Sequence, residues 1–336
     1  MALKNLSLPS FYPETNAARD SWILSRRPEL HRERNALDPW RPWAFFIEDE
    51  RSASGEVVPV ATVFLTNREC PWRCLMCDLW KNTLTESVPI GAIPAQIEHA
   101  LQRLTPARQI KLYNSGSFFD PRAIPADDYP AIVRRVAQFE RVIVESHPAL
   151  IGENCFRFKE LLPGRLEVAM GLETVHPEIL ERLNKRMTTE QFAAAAGRLR
   201  EHDIDLRVFV LVKPPFMCED EALYWAERSL DFAFDCGATA TTLIPTRAGN
   251  GAMEELEAAG DFSPPRLSTL EAALAYGVGL HRRRVFPGRV FVDLWDVKPG
   301  AECPHCFAER MARLRTMNLR QIVPAPAACA HCGGKN

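Results

Sequence analysis

The stretch Glu69-Cys70-Pro71-Trp72-Arg73-Cys74-Leu75-Met76-Cys77-Asp78 decides how this chain is read. Its three cysteines, spaced C-x3-C-x2-C, fall within eight residues. With ten cysteines in 336 residues, a specified three-cysteine pattern arises by chance about 0.01 times per chain, so coincidence is a poor explanation. A β-branched run over 57–65 ends just before it and predicts a short buried strand. Parallel α/β proteins build their sites at the C-terminal ends of strands. Three thiolates on such a loop can wrap one soft metal centre, and a [4Fe–4S] cluster held by three leaves one iron open. A zinc site completed by a residue such as Asp78 is the other reading of the same spacing.

Outward from this loop the pattern alternates. Further apolar runs at 109–113, 141–144, 166–170, 206–212 and 239–244 read as strands. Helical spacing covers 93–104, 131–139, 177–183, 189–202 and 220–236. Six strands alternating with helices predict parallel βα units with right-handed crossovers. A full eight-unit barrel takes about 250 residues, so the expectation is an α/β fold, an open partial (β/α)6 barrel. The expected organisation is an N-terminal extension over 1–56, the barrel over 57–250, a barrel-flanking helical and strand segment over 251–302, and a C-terminal four-cysteine region over 303–336. In the extension, Trp22, Trp40 and Trp43 point to packing rather than a mobile arm, and 52–56 reads as the turn before the first strand.

Composition narrows the class. Apolar residues make up 46% and charged residues 25%, as in ordinary soluble domains. The 41 basic and 43 acidic side chains give a net charge of -2, which excludes nucleic-acid binding through overall charge but not a local basic patch. No run approaches the roughly 18 apolar residues of a membrane span, and the first twenty residues show no apolar signal core. The expected location is cytoplasmic, where cysteines serve as metal ligands more often than as disulfides. Cys155, Cys218 and Cys236 are scattered and read as free thiols.

Cys303, Cys306, Cys329 and Cys332 form two C-x2-C knuckles separated by 22 residues. Four thiolates make a closed structural zinc site, with an auxiliary [4Fe–4S] cluster as the alternative. His305 and His331 read as bystanders. Arg310, Arg313, Arg315, Arg320 and Lys335 outnumber the one acid, Glu309, in this region, and Arg282–Arg284 lies upstream. That local excess suits a phosphate backbone, or a solvated helix face over 307–319.

Cys70-Pro-Trp-Arg-Cys74-Leu-Met-Cys77 after a first strand resembles the radical SAM superfamily signature. The resemblance implies a [4Fe–4S] cluster on Cys70, Cys74 and Cys77 whose open iron chelates S-adenosylmethionine. Reduction then yields methionine and a 5′-deoxyadenosyl radical that abstracts a substrate hydrogen. It further implies cofactor contacts from Ser115, Gly116 and Ser117, ribose-binding carboxylates at Glu145 and Glu173, and a cation, Lys185, for the methionine carboxylate. Met76 stands where the family usually has an aromatic residue on the adenine side. An electron donor such as a ferredoxin or flavodoxin is implied as partner.

Leu211-Val-Lys-Pro-Pro-Phe216, the run Ile244-Pro-Thr-Arg-Ala-Gly-Asn-Gly-Ala-Met-Glu-Glu and the pair Pro264-Pro265 are similar to the archaeosine synthase radical SAM subunit and relatives near the elongator catalytic subunit. That similarity covers roughly residues 57 to 275 and points to a tRNA nucleoside as substrate. A small metabolite or peptide is the alternative substrate. A metal-binding scaffold without turnover is the reading from another class.

Overall fold

In a computed structural model, which describes residues 12–27, 35–281, 288–299 and 302–332, all the strands join one eight-stranded sheet in the order β1 to β8. The strands are β1 (Ala44–Arg51), β2 (Val57–Phe64), β3 (Gln109–Tyr113), β4 (Arg141–Glu145), β5 (Arg165–Glu173), β6 (Asp205–Val212), β7 (Ala240–Pro245) and β8 (Arg289–Val292). β1 pairs antiparallel with β2, and β2 to β8 are all parallel. This is the expected half-barrel, widened by one strand at each edge.

The helices are α1 (Asn16–Arg26), α2 (Ala92–Leu101), α3 (Tyr129–Val136), α4 (Glu153–Leu161), α5 (Pro177–Arg182), α6 (Thr189–Glu201), α7 (Glu219–Asp235), α8 (Ala252–Ala258), α9 (Leu267–His281) and α10 (Phe307–Arg320). Local signals account for their starts. Thr188 caps α6 in a capping box with Gln191. α3, α5 and the turn at Pro148–Leu150 carry proline in the first turn, where its missing N–H costs nothing. Among the described residues, no helix is long and apolar enough to cross a membrane.

Alternation along each strand sorts the two faces. Outward residues such as Ala61, Val63, Ile110, Leu112, Val142, Val144, Val168, Met170, Val208 and Val210 join the helices in one core. The inward face is different. At the N-terminal end of the strands it holds a buried charge cluster. Arg207 donates to Glu50 at 2.6 Å and to Glu167 at 2.6 Å. Arg141 and Arg289 reach Glu167 at 2.9 and 3.2 Å, and Lys111 reaches Glu50 at 2.6 Å. Glu50 lies on β1, so this edge strand is tied through the lumen to β3 and β6. The cluster closes the floor of the half-barrel and leaves its C-terminal mouth for chemistry.

Within the stretch read as an N-terminal extension, α1 packs. Tyr12, Trp22 and Ile23 join Leu75, Phe216, Met253 and Leu256 in a second apolar cluster. The turn expected at 52–56 links β1 to β2, with Ser52 N–H donating to the Glu56 carbonyl at 2.7 Å and Gly55 at φ +87°.

Candidate active site at the mouth of the half-barrel

The cysteine loop leaves β2 and folds across the mouth. Cys70, Cys74 and Cys77 line one pocket with Trp72, Arg73, Trp80 and Ser115. Three outside side chains or carbonyls pin the loop. Asn184 donates to the Arg73 carbonyl at 2.7 Å, Asn250 to the Leu75 carbonyl at 2.6 Å, and Leu75 N–H to the Leu183 carbonyl at 2.9 Å. Burial pushes the Cys74 thiol up to about 12 and the Cys77 thiol well above its ordinary value. Such thiols become thiolates only when a metal offsets the desolvation.

Facing this loop are the expected cofactor residues. Glu145 ends β4, and its Oε1 accepts from Asn114 N–H at 2.6 Å and Gly116 N–H at 3.4 Å. The carboxylate therefore shapes the 114–117 turn. Burial raises its pKa despite these backbone donors. Ser115 sits at φ +52°, and a Cβ on Gly116 would stand 3.2 Å from the Cys70 Cβ, so the turn lies against the cysteine loop. Ser117 is turned the other way, its Oγ accepting from His147 N–H at 2.9 Å. Met76 is half-buried between the two small apolar clusters beside the mouth.

Glu173 and Lys185 form an ion pair at 2.5 Å. A register shift in β5 between Gly171 and Glu173 re-aims the strand end, and Glu173 stands at φ +66°. The pair lies directly over Gly171, where a Cβ would come within 2.1 Å of Glu173 Oε1 and 2.4 Å of Lys185 Nζ. Burial works against charge on Lys185, but Glu173 and Cys74 hold its pKa above the ordinary lysine value. A permanent cation is thus fixed beside the cysteines. His147 secures it: Nδ1 accepts from Ala149 N–H at 3.1 Å, so Nε2 carries the proton toward the Lys185 carbonyl at 3.0 Å. Burial and the Lys185 cation lower His147 to about 4, so it is neutral at pH 7. Its ring stacks on Trp72 at 3.9 Å.

Two observations test whether the site suits a cluster with S-adenosylmethionine. Both polar atoms of the Asn114 side chain are buried without a partner beside Cys70 and Gly116, which suits a ligand offering both a donor and an acceptor. The donor set, three thiols with a carboxylate–ammonium pair, suits an iron–sulfur centre with a zwitterionic ligand. The residues fit. Asn114, Asn184 and Asn250 were not singled out from sequence. Asn184 stands in the left-handed region at φ +56°, which asparagine tolerates better than most residues.

The second cysteine group lies apart from the mouth. Cys303 and Cys329 sulfurs are 3.9 Å apart, Cys306 and Cys332 sulfurs 3.8 Å, and all four lie within 4.8 Å of one another. His305 and His331 stack on each other at 3.7 Å. The basic surface expected here needs correction. Arg310 is buried on Glu271 and Glu302 at 2.8 and 2.9 Å. Arg313 binds Glu271 at 3.2 Å and the carbonyls of Pro324 and Ala325. These two are internal struts, because their acidic partners come from other segments. Arg315 and Arg320 are exposed. Arg282–Arg284 and Lys335 lie outside the described residues.

The half-barrel brings the three-cysteine loop and the polar groups around it to one mouth, the arrangement that the resemblance to the radical SAM superfamily implies. Among relatives, the chain is 26% identical over 293 residues to archaeosine synthase subunit beta of Methanosarcina acetivorans, covering 83% of this chain and 84% of that protein. It is 25% identical over 262 residues to an uncharacterized protein of Methanocaldococcus jannaschii, covering 73% and 72%. A solved radical SAM methyltransferase from Sphaerobacter thermophilus is similar with a TM-score of 0.49 at 16% identity, covering 84% of this chain and 95% of that one. No family model matches the chain.

Proposed function

We propose that this chain reductively cleaves S-adenosylmethionine at a [4Fe–4S] cluster held by Cys70, Cys74 and Cys77, and takes a hydrogen from a nucleoside in tRNA. The observation that carries the first half is the set of three half-buried thiols around one pocket, with the Glu173–Lys185 pair beside Cys74. Similarity to archaeosine synthase subunit beta along most of both chains supports the second. When bound, the cluster and S-adenosylmethionine supply a reducible iron site and a sulfonium whose cleavage generates a hydrogen-abstracting carbon radical. An external one-electron donor such as a ferredoxin or flavodoxin provides the electron.

The chain's own residues bind and orient. Lys185 offers a fixed cation to the methionine carboxylate. Glu173 neutralises part of that charge and offers acceptors for ribose hydroxyls. Glu145 holds the 114–117 turn, and Asn114 meets the ligand with its amide. Gly171→Ala is expected to fold, since only side-chain tips must move, and to displace the Glu173–Lys185 pair. S-adenosylmethionine should then bind roughly tenfold to a hundredfold more weakly, the worth of one or two charge-assisted hydrogen bonds. Equilibrium dialysis of the reconstituted protein reads this, and unaltered affinity counts against both assignments.

The four C-terminal cysteines are proposed to hold one structural zinc. Zinc–sulfur bonds of about 2.3 Å in a tetrahedron put the sulfurs about 3.8 Å apart, close to the 3.8 and 3.9 Å between the paired thiols. A cubane takes its thiolates on different irons and needs them further apart.

For the substrate, total tRNA binding at several salt concentrations is the test. Saturable binding is expected, with log affinity falling linearly against log salt. Arg315→Gln with Arg320→Gln should make that slope shallower by roughly two units if both meet phosphates. A small-metabolite substrate predicts no binding, and a non-catalytic scaffold predicts no cleavage of S-adenosylmethionine.

A further inference from the structure

Above the charge cluster, the aromatic side chains of the lumen form one connected row. Phe46 shares a face with Glu48, Phe64 with Thr62, Tyr113 with Lys111 and Phe209 with Arg207, each two residues away on its strand. Those partners meet inside the half-barrel: Thr62 Oγ1 donates to Glu48 at 2.5 Å, Lys111 reaches Glu48 at 2.9 Å, and Arg207 reaches Glu50. The four rings therefore also face the lumen, one step nearer the cysteine loop. Ring centroids follow one another at 5.9 Å (Phe46–Phe64), 6.1 Å (Phe64–Tyr113) and 6.3 Å (Tyr113–Phe209). Trp295, just beyond β8, extends the row by stacking on Phe46 at 6.0 Å and 9°.

Two features separate this row from simple filling. All four strand rings are half-buried rather than sealed, and Trp295 is 64% exposed. A polar pair edges it as well. Asp293 and Arg247 stand 3.6 Å apart; Trp295 N–H donates to Asp293 Oδ1 at 2.9 Å, and Arg247 Nη1 donates to the Trp295 carbonyl at 3.4 Å. A flat apolar surface bordered by one carboxylate and one guanidinium matches a flat ring with acceptors and donors on its rim. A flexible aliphatic chain would gain burial on this surface but no stacking, and would leave the carboxylate and guanidinium unmatched.

We infer that this row is the platform for a planar heteroaromatic ring of the substrate, stacked on Trp295 and Phe46 with its polar edge toward Asp293 and Arg247. The inference rests on the proposed function in taking that ring to be part of the substrate. It adds the residues on which that ring would stack and those that would meet its edge.

The test is equilibrium dialysis of the full chain, reconstituted without air, against guanosine and, separately, against total tRNA. For whichever probe binds, Trp295→Leu keeps apolar surface and removes the π face, and should weaken binding roughly tenfold. Trp295→Phe should restore most of it. Binding of guanosine would place the ring on a small molecule, and binding of tRNA alone would place it within RNA. Trp295 is exposed, so an unchanged unfolding midpoint separates lost stacking from lost fold. Equal affinity of the Leu variant, or no binding of either probe, overturns the platform. Cleavage of S-adenosylmethionine by the wild type is followed in parallel. Cleavage without ring binding overturns the platform alone, and ring binding without cleavage overturns the radical chemistry while keeping the platform.

Discussion

A chain with Cys70, Cys74 and Cys77 all changed to Ala should hold about four fewer irons after anaerobic reconstitution than the wild type, and should still hold about one zinc. The two cysteine groups are built for different centres. The C-terminal sulfurs lie within one ion's reach of each other, whereas the first three ring a pocket at the mouth with partners for an additional ligand. Because burial pushes the Cys74 thiol up to about 12 and the Cys77 thiol well above its ordinary value, loading the wild type should release protons and slow down as pH falls. Iron and zinc analysis of both proteins reads the outcome. Loss of zinc with iron retained would exchange the two assignments.

Glu167→Ala is expected to cost about 3–5 kcal/mol of stability, the usual price of removing one partner from a buried ionic cluster. Glu167 is fully buried and holds Arg207, Arg141 and Arg289. Its removal leaves Arg289 without a carboxylate partner, Arg207 with Glu50 alone and Arg141 with Asp205 alone. The same cluster sets an acid limit. Burial opposes the Glu167 charge, but the three arginines overcome it and bring the carboxyl down from 4.5 to about 2. A depressed folded pKa means the contribution is complete above about 4.5 and lost as pH falls through about 2. Urea midpoints should stay level from pH 7 to 5 and then fall, and the fall should be shallower in Glu167→Ala. A midpoint unchanged by the substitution would remove the cluster from the account of stability.

The strands that carry the fold were legible because their outward faces are apolar and regular. The readings at 109–113 and 206–212 match β3 and β6 to within a residue. β5 runs three residues beyond its expected end, because the register shift at Gly171 lets pairing continue to Glu173. β1 was not legible as a strand. Its sequence, AFFIEDER, carries charges that look solvent-facing until Glu50 is seen reaching Arg207 across the lumen. β8 has four residues and begins with a buried arginine, too little for an alternation signal. At the site, cysteine spacing named the metal loop, and strand-end positions drew attention to Glu145, Glu173 and Lys185. Spacing could not reveal that Glu145 faces backbone N–H groups of a neighbouring turn, or that Asn184 and Asn250 hold the loop by hydrogen bonds to carbonyls 111 or more residues away. Nor could it reveal that Arg310 and Arg313 are taken up by Glu271, since sign alone says nothing of a distant partner.

The central claim is that the mouth of this half-barrel performs reductive chemistry on S-adenosylmethionine. The most direct measurement is mass-spectrometric quantification of 5′-deoxyadenosine from wild-type protein, reconstituted to about four irons at the Cys70, Cys74 and Cys77 loop and mixed with S-adenosylmethionine and dithionite under anaerobic conditions. The account predicts 5′-deoxyadenosine together with methionine, dependent on the reductant and absent from the triple-Ala chain. Fully loaded protein that binds S-adenosylmethionine and yields neither product would contradict it.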